Sequence, residues 1–271
     1  MGEATPLALW IRVLRILAIL LCLFLIFGWR MERKMIFVPS APWDAPLPDE
    51  AKEVEFVSTD GTELSGAWFP AEQASAVLVY CHGNAGNISH RFDIASHWQK
   101  CGWSVLLFDY RGYGRSKGNP TEKGIIADAR AAIAFTRRLS GKNVVAFGRS
   151  LGTVPAVVLA AEGEACGLIL DSPLLNGRAI ADVIMPIPGM GMLMQTRLDN
   201  SGRIGSITCP LLLLHGDADE IVPYEQGMEL HRLAPDPKQL VKIPGGQHND
   251  SRRSGVAFEA VRDFLAGLPG K

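Results

Sequence analysis

The sequence lacks most of the features that mark a charged, metal-binding or disulfide-stabilised protein. Its 27 basic and 28 acidic side chains leave a formal net charge of −1, which gives no electrostatic reason to expect nucleic acid as a partner. Its five cysteines contain no C-x-x-C pair, so the sequence indicates neither a zinc site nor a redox dithiol. Internal repeats and low-complexity tracts are also missing. No metal and no cofactor are implied.

What is present is a long apolar stretch at the N-terminus. Residues 7–28 are apolar except for Arg12 and Arg15, and roughly 20 helical residues span a bilayer core. We therefore predict a single transmembrane anchor at 7–28 and a membrane location, with a cleaved signal peptide or an interfacial helix as alternatives. Basic residues flank the stretch on both sides, so the charge rule does not predict which side of the membrane the chain occupies.

The remaining chain divides into a proline-rich segment and a folded domain. Four prolines between residues 38 and 49 disfavour helix and sheet, which predicts a linker or extended strap at 29–51. The 271 residues are 48% hydrophobic, enough for one large domain, here 52–271. No oligomeric state is predicted.

Inside that domain, strand and helix patterns alternate. A hairpin is predicted around Asp60-Gly61, within residues 53–70. Apolar strand-like runs follow at 76–82, 104–110, 143–148, 167–172, 210–216 and 238–244, and helical patterns lie at 88–101, 122–139, 151–161, 224–233 and 255–265. Continuously apolar strands separated by helices predict an α/β fold with a mostly parallel sheet covered on both faces.

One connection breaks this alternation. Residues 173–207 are too many for an ordinary α/β connection. Their Met- and Pro-rich apolar character predicts a small cap over a binding site, because unbranched thioethers adapt to varied apolar shapes. A structural helical excursion is the equal alternative.

The pattern with most chemical content is G-x-S-x-G at Gly148–Gly152. It lies between an apolar run and a helical pattern, the context of a nucleophile elbow, in which a serine occupies a strained turn and glycines let strand and helix approach closely. We therefore predict that Ser150 is a nucleophile and not only a small turn residue. The amide of Leu151, the residue after it, is a candidate oxyanion donor.

A serine hydroxyl needs a base and an orienting carboxylate. In this architecture the expected chain order is serine, acid, histidine. His248 follows a strand and two glycines, whereas His231 sits at helical spacing among apolar residues, so His248 is the predicted base. Asp219 is the predicted acid because it lies far enough past a strand end to reach the next loop, with Asp217 and Asp171 as alternatives.

The second oxyanion donor should come from the loop after an early central strand. "CHGNAGN", Cys81–Asn87, has two glycines that free the backbone, and Asn84 there can present its amide toward the site. A plain strand-to-helix turn is the alternative.

Five motifs in this order, "CHGNAGN", "FDYRGYGRS", "GRSLGT", "HGDADEIVP" and "GGQHND", resemble those of the α/β-hydrolase superfamily over about residues 53–268. They are most similar to its membrane-anchored serine hydrolases related to monoacylglycerol lipases, lysophospholipases and acyl-protein thioesterases. The resemblance implies a mainly parallel eight-stranded sheet, a triad of Ser150, Asp219 and His248, and oxyanion donors at Asn84 and Leu151. It also implies that Asp109 and Arg111 brace the site without taking part in the chemistry.

We therefore expect a serine hydrolase that cleaves carboxylic ester or thioester bonds of small or lipid-like acyl substrates. A serine peptidase or aminopeptidase-like hydrolase on the same triad is one alternative. A non-catalytic membrane-anchored adaptor is another, although every catalytic residue type is present. Neither the natural substrate nor a role for Arg149 follows from the sequence.

Overall fold

The computed structural model describes residues 6–184 and 190–268. The helices are α1 (Pro6–Ile36), α2 (Phe92–Lys100), α3 (Glu122–Ser140), α4 (Thr153–Ala161), α5 (Gly177–Ile184), α6 (Tyr224–Leu233) and α7 (Gly255–Gly267). The strands are β1 (Lys52–Val57), β2 (Glu63–Phe69), β3 (Ala76–Cys81), β4 (Ser104–Phe108), β5 (Asn143–Arg149), β6 (Gly167–Asp171), β7 (Leu211–Gly216) and β8 (Lys238–Ile243). The last residues of the predicted domain at 52–271 lie outside the described residues. So do residues 185–189 of the predicted cap at 173–207.

The strands form one sheet of eight in the order β1-β2-β4-β3-β5-β6-β7-β8. The predicted hairpin is present as the antiparallel pair β1 and β2, and β2 also pairs antiparallel with β4. All other pairs are parallel. The prediction of a mostly parallel eight-stranded sheet is therefore confirmed.

The central strands are apolar throughout because both faces of the sheet are covered. In β3, Val77 and Val79 belong to one core and Leu78 and Tyr80 to the other, as the period-two alternation of a strand requires. Helices α3, α4 and α6 pack on the first face, while α2 and α7 pack on the second. The sheet is thus a rigid platform between two hydrophobic cores.

The prediction of a transmembrane anchor at 7–28, and of a membrane location resting on it, is wrong. In the described part of the chain, no helix combines the length and the apolar character that crossing a bilayer requires. The stretch without charge between Arg15 and Arg30 covers residues 16–29, roughly 21 Å of helix against a hydrocarbon core of about 30 Å. Helix α1 instead continues through charged residues as far as Ile36.

The end of α1 and the proline-rich segment after it lie against the domain. Phe37 and Trp43 are buried in the two cores. The backbone of Pro39 and Ser40 pairs with Gly86. Residues 37–44, which we call the strap, therefore run over the loop that follows β3.

Candidate active site

Parallel strands bring their carboxyl ends to one edge of the sheet, where α/β proteins place their binding sites. Here β3 leads into the 82–91 loop, β5 into Ser150, and β7 into Asp219, while His248 follows β8. Side chains that are far apart in sequence therefore lie close together at this edge.

Ser150 occupies the tight turn between β5 and α4. Its backbone φ is +49°, a strained value for a residue with a side chain. A Cβ on Gly148 would lie 2.6 Å from the carbonyl oxygen of Gly152, and one on Gly152 would lie 2.0 Å from that of Cys81. Both positions must be glycine for strand and helix to approach so closely, which is the geometry that the spacing predicts.

The structure brings together the three residues predicted as nucleophile, base and acid. Nε2 of His248 lies 3.1 Å from Oγ of Ser150. Nδ1 of His248 lies 2.8 Å from Oδ2 and 3.1 Å from Oδ1 of Asp219. The three groups form one hydrogen-bonded line, with His248 and Asp219 buried and Ser150 half-buried.

Asp219 is held as a carboxylate by several donors. Its Oδ1 accepts hydrogen bonds from the backbone amides of Ile221 (2.9 Å) and Val222 (2.8 Å). Burial acts to raise the pKa of the Asp219 carboxyl, but the hydrogen bonds from His215, His248 and Val222 outweigh it and hold the pKa well below its usual value. An ionised Asp219 can keep the proton of His248 on Nδ1.

Two further side chains that the sequence reasoning did not select support this pair. Nε2 of the fully buried His215 lies 3.4 Å from Oδ2 of Asp219 and 2.8 Å from the carbonyl oxygen of Val222. Oε2 of Glu220 accepts a hydrogen bond from the backbone amide of His248. The only sequence signal for His215 is its place at the end of an apolar strand, two residues before the acidic cluster.

The alternative acids and base lie elsewhere. Asp217 accepts hydrogen bonds from the amide of Gly245 (2.6 Å) and from Lys242 (3.2 Å), so it braces the turn. Asp171 pairs with Arg149. His231 lies in α6, and its Nε2 is buried with no hydrogen-bond partner among the described residues.

Arg149 connects the nucleophile strand to the histidine loop. Its side chain is 6% exposed, and its Nε lies 3.2 Å from Oδ2 of Asp171. One terminal nitrogen donates to the carbonyl oxygen of His248 and to Oδ1 of Asn249, both at 2.8 Å. Ser251 donates to the same Asp171 oxygen. This buried guanidinium therefore fixes the segment that carries His248.

Asn84 and Leu151, the predicted oxyanion donors, both line the cavity that contains Ser150. The side-chain oxygen of Asn84 accepts from the amide of Val38 in the strap (2.9 Å) and from the hydroxyl of Tyr113 (3.0 Å). The strap thus holds the loop after β3 in place beside the elbow. A Cβ on Gly83 would lie 3.5 Å from that of Ser150, so this loop passes directly by Ser150.

Asp109 and Arg111 form hydrogen bonds and ion pairs in the loops around the site. Asp109 accepts from Nε1 of Trp43 (2.6 Å) and from the amide of Ile88 (2.9 Å), and burial raises its pKa to about 6. The guanidinium of Arg111 lies 2.7 Å from Asp128 and 2.6 Å from Asp60. Both side chains join neighbouring loops and neither lines the cavity.

The cavity at this edge has a volume of about 730 Å³, within the usual range for small-molecule sites. Ser150 and His248 line it, together with residues from the end of α1 and from the connection at 173–207 that contains α5. We call this connection the insertion. Within residues 6–184 and 190–268, no group of three or more His, Cys, Asp or Glu side chains is arranged to hold a metal ion. The arrangement places the hydroxyl of Ser150 beside the imidazole of His248 in a largely apolar cavity.

The eight-stranded fold and this site indicate the class of protein, and known proteins of similar sequence and structure belong to the same class. The chain belongs to the α/β-hydrolase superfamily, and the comparisons support a hydrolase. A family model described as "Serine aminopeptidase, S33" matches residues 72–201.

Among individual relatives, YfhR of Escherichia coli (strain K12) is 36% identical, over 94% of this chain and 95% of that protein. Human alpha/beta hydrolase domain-containing protein 17B is 34% identical, over 71% of this chain and 67% of that protein. The solved structure of the Pyrococcus furiosus esterase Pf2001 superposes with a TM-score of 0.73 at 22% identity, covering 87% of this chain and 98% of that one, and shows the fold alone.

Proposed function

We propose that this protein is a serine hydrolase that cleaves carboxylic ester or thioester bonds through an acyl-enzyme. The observation that carries the proposal is the hydrogen-bonded line from Ser150 to His248 to Asp219, with 3.1 Å and 2.8 Å between the bonded atoms. Those distances lie within the range required of a nucleophile, its base and the group that orients the base.

In the first half-reaction, Oγ of Ser150 attacks the acyl carbonyl carbon while its proton passes to Nε2 of His248. Asp219 stabilises the imidazolium that forms and does not itself take the proton. The negative charge develops on the former carbonyl oxygen, where backbone amides of Leu151 and Asn84 would donate. His248 then protonates the leaving alcohol or thiol as the tetrahedral intermediate collapses.

In the second half-reaction, His248 removes a proton from water, and the resulting hydroxide attacks the acyl-enzyme. The carboxylic acid leaves and Ser150 regains its proton from His248. Every proton that is taken is returned, so the cycle needs neither metal nor cofactor for its balance.

The lining of the cavity supports an acyl substrate. Leu174, Ile180, Met194 and Leu198 come from the insertion, and Ile36 comes from the end of α1. Burial of apolar chain segments against such side chains gives binding energy in proportion to the area removed from water. Acyl esters or thioesters with a carbon chain fit this lining.

A second candidate is a peptidase of the aminopeptidase type on the same three residues, favoured by the description of the matching family model. Esters and aminoacyl amides of matched acyl groups distinguish the two. Faster turnover of the amide series would favour the peptidase.

The test is covalent labelling with a fluorophosphonate, which reacts with activated serines, compared between the natural protein and Ser150→Ala. We expect labelling of the natural protein and none of the variant, with ester hydrolysis lost in parallel by about a thousandfold or more. The matched control is Ser104→Ala, which removes another buried serine, one at the start of β4 that bonds to the backbone of Ala71. This variant should still be labelled. Equal labelling of the Ser150→Ala variant would refute the proposal.

A further inference from the structure

The walls of the cavity differ in chemical character. The end of α1 and the insertion supply mostly apolar side chains, among them Ile36, Ile180 and Met194. The loop after β3 and the segment after His248 supply cations instead, Arg91 and Arg252. A substrate bound beside Ser150 therefore meets an apolar surface on one side and guanidinium groups on the other.

Arg91 is a buried cation whose hydrogen-bond partners in the described part of the chain are all uncharged. It is 6% exposed and donates to the backbone carbonyl oxygens of Asn87, of Ala85 (2.6 Å) and of Gly83 (3.5 Å). Among the described residues, no carboxylate forms an ion pair with it. Buried charges are normally paired, and Arg91 has no carboxylate partner there. Its charge is therefore available to an anion in the cavity that it lines.

Arg252 lies four residues after His248, in a short 3-10 turn at Asp250–Arg253. Its side chain is half-buried, and no ion pair or side-chain hydrogen bond joins it to the described part of the chain. Burial lowers the pKa of Arg91, and the nearby positive charges of Arg149 and Arg252 lower it further. Arg149 and Arg252 line the same cavity as Arg91, so the three guanidinium groups lie around one cavity.

The neighbouring carboxylates do not neutralise this wall. Asp171 is taken by Arg149. Glu32, which also lines the cavity, accepts from the amides of Gln195 and Thr196 and forms no ion pair with Arg91 or Arg252 among the described residues. Asp109 forms no ion pair with Arg91 in the described part of the chain, and its oxygens accept from Trp43 and Ile88. Among the described residues, two positive charges thus remain without an ion-pair partner beside Ser150.

We infer that Arg252 and Arg91 form a subsite for an anionic group, a phosphate or a carboxylate, on the leaving-group part of the substrate. The inference rests on the proposed function, because it places the acyl chain against the apolar wall and the scissile carbonyl at Ser150. Guanidinium groups recognise both oxyanions through charge-assisted hydrogen bonds. The substrate class is accordingly an acyl ester or thioester whose alcohol or thiol carries negative charge.

The test compares pairs of esters that share one acyl chain. Octanoyl glycerol phosphate is paired with neutral octanoyl glycerol, and octanoyl glycolate with neutral octanoyl glycolamide, so that the phosphate and carboxylate arms are separate. The measured quantity is the ratio of kcat/KM for the anionic ester to that for its neutral partner. We expect a ratio of about ten or more in at least one arm, decreasing as salt is added.

The variant Arg252→Gln should lower that ratio by about tenfold. Arg253→Gln removes the same charge from the same turn, but Arg253 is exposed and does not line the cavity, so it is the matched control and should keep the ratio. A ratio near or below one in both arms of the natural protein would overturn the subsite. So would an unchanged ratio in Arg252→Gln.

A binding measurement separates this inference from the proposed function. Calorimetric titration with octyl phosphate and with octanoate, against octanol, needs no catalysis. If no ester is hydrolysed and the fluorophosphonate leaves Ser150 unlabelled, the proposed function fails. In that case, tighter binding of an anionic probe that is lost in Arg252→Gln still supports the subsite, and equal binding of all three probes overturns it.

Discussion

Replacing Arg149 tests how the nucleophile strand and the histidine loop are held together. Its side chain and that of Asp171 are 6% and 4% exposed, so Arg149→Met leaves a buried carboxylate without its cation. Removing one partner of a buried pair costs about 3–5 kcal/mol. Because Ser251 still donates to Asp171 at 2.7 Å, we expect the lower end, about 3 kcal/mol of unfolding free energy.

The same change should affect hydrolysis separately from stability. The carbonyl oxygen of His248 and the side chain of Asn249 each lose a 2.8 Å hydrogen bond from Arg149. The segment that carries His248 is then held less firmly, and the imidazole can shift relative to Ser150. A displacement of about 1 Å can cost roughly a hundredfold in rate. We expect kcat on an octanoyl ester to fall by about that factor, with a smaller change in KM.

Urea unfolding and steady-state kinetics together check this reasoning. The double variant Arg149→Met with Asp171→Leu removes both buried charges and should regain most of the stability, but not kcat, since the carbonyl oxygen of His248 and the side chain of Asn249 still lack their donor. Arg130→Met is the control: it breaks an exposed pair with Glu162 and should cost no more than about 1 kcal/mol. A folded Arg149→Met protein with unchanged kcat would refute the positioning role.

Two further predictions concern the surroundings of the site. Gly152→Ala puts a Cβ at 2.0 Å from the carbonyl oxygen of Cys81 and should lower the free energy of unfolding by about 3 kcal/mol or more. Gly255→Ala, with open space around it, is the control and should leave the thermal midpoint nearly unchanged. Equal midpoints of the two variants would contradict the close approach. Burial raises the pKa of Asp109 to about 6, so between about pH 4 and pH 6 the folded protein holds a proton that the unfolded chain has released, and stability should fall by up to about 3 kcal/mol as pH rises through that window. Urea unfolding across it should show a shallower fall in Asp109→Asn, and identical pH slopes would contradict the buried-carboxyl account.

Local sequence patterns carry most of the information about the sheet and the elbow. Gly148, Ser150 and Gly152 lie within five residues. The positive φ of Ser150 and the close contacts at the two glycines therefore belong to one turn, which a local pattern can predict. The positions of Asp219 and His248 follow from the order of strands, because each comes directly after a strand whose end faces the same edge. Their roles, like those of Asn84 and Leu151, stay predictions.

The contacts that sequence could not predict join residues far apart in the chain. Arg149 finds its partners 22, 99 and 100 residues away, and no local pattern encodes such a meeting. The N-terminal stretch misled for a different reason. Its apolar character predicted a membrane span, but only residues 16–29 between Arg15 and Arg30 are without charge, too few for a hydrocarbon core of about 30 Å. The charged residues that follow residue 28 gave no sign that the helix continues to Ile36.

The end of α1 also determines what can be learned from parts of this protein. Glu32 accepts two amides of the insertion, and Met35 and Ile36 line the cavity. A chain shortened to residues 52–271 would retain Ser150, Asp219 and His248, yet it would lose one side of the hollow and the strap amide that anchors Asn84. Substrate preferences measured on such a fragment would be those of a wider, more open cleft. Substrate selectivity should therefore be measured on a chain that includes the end of α1.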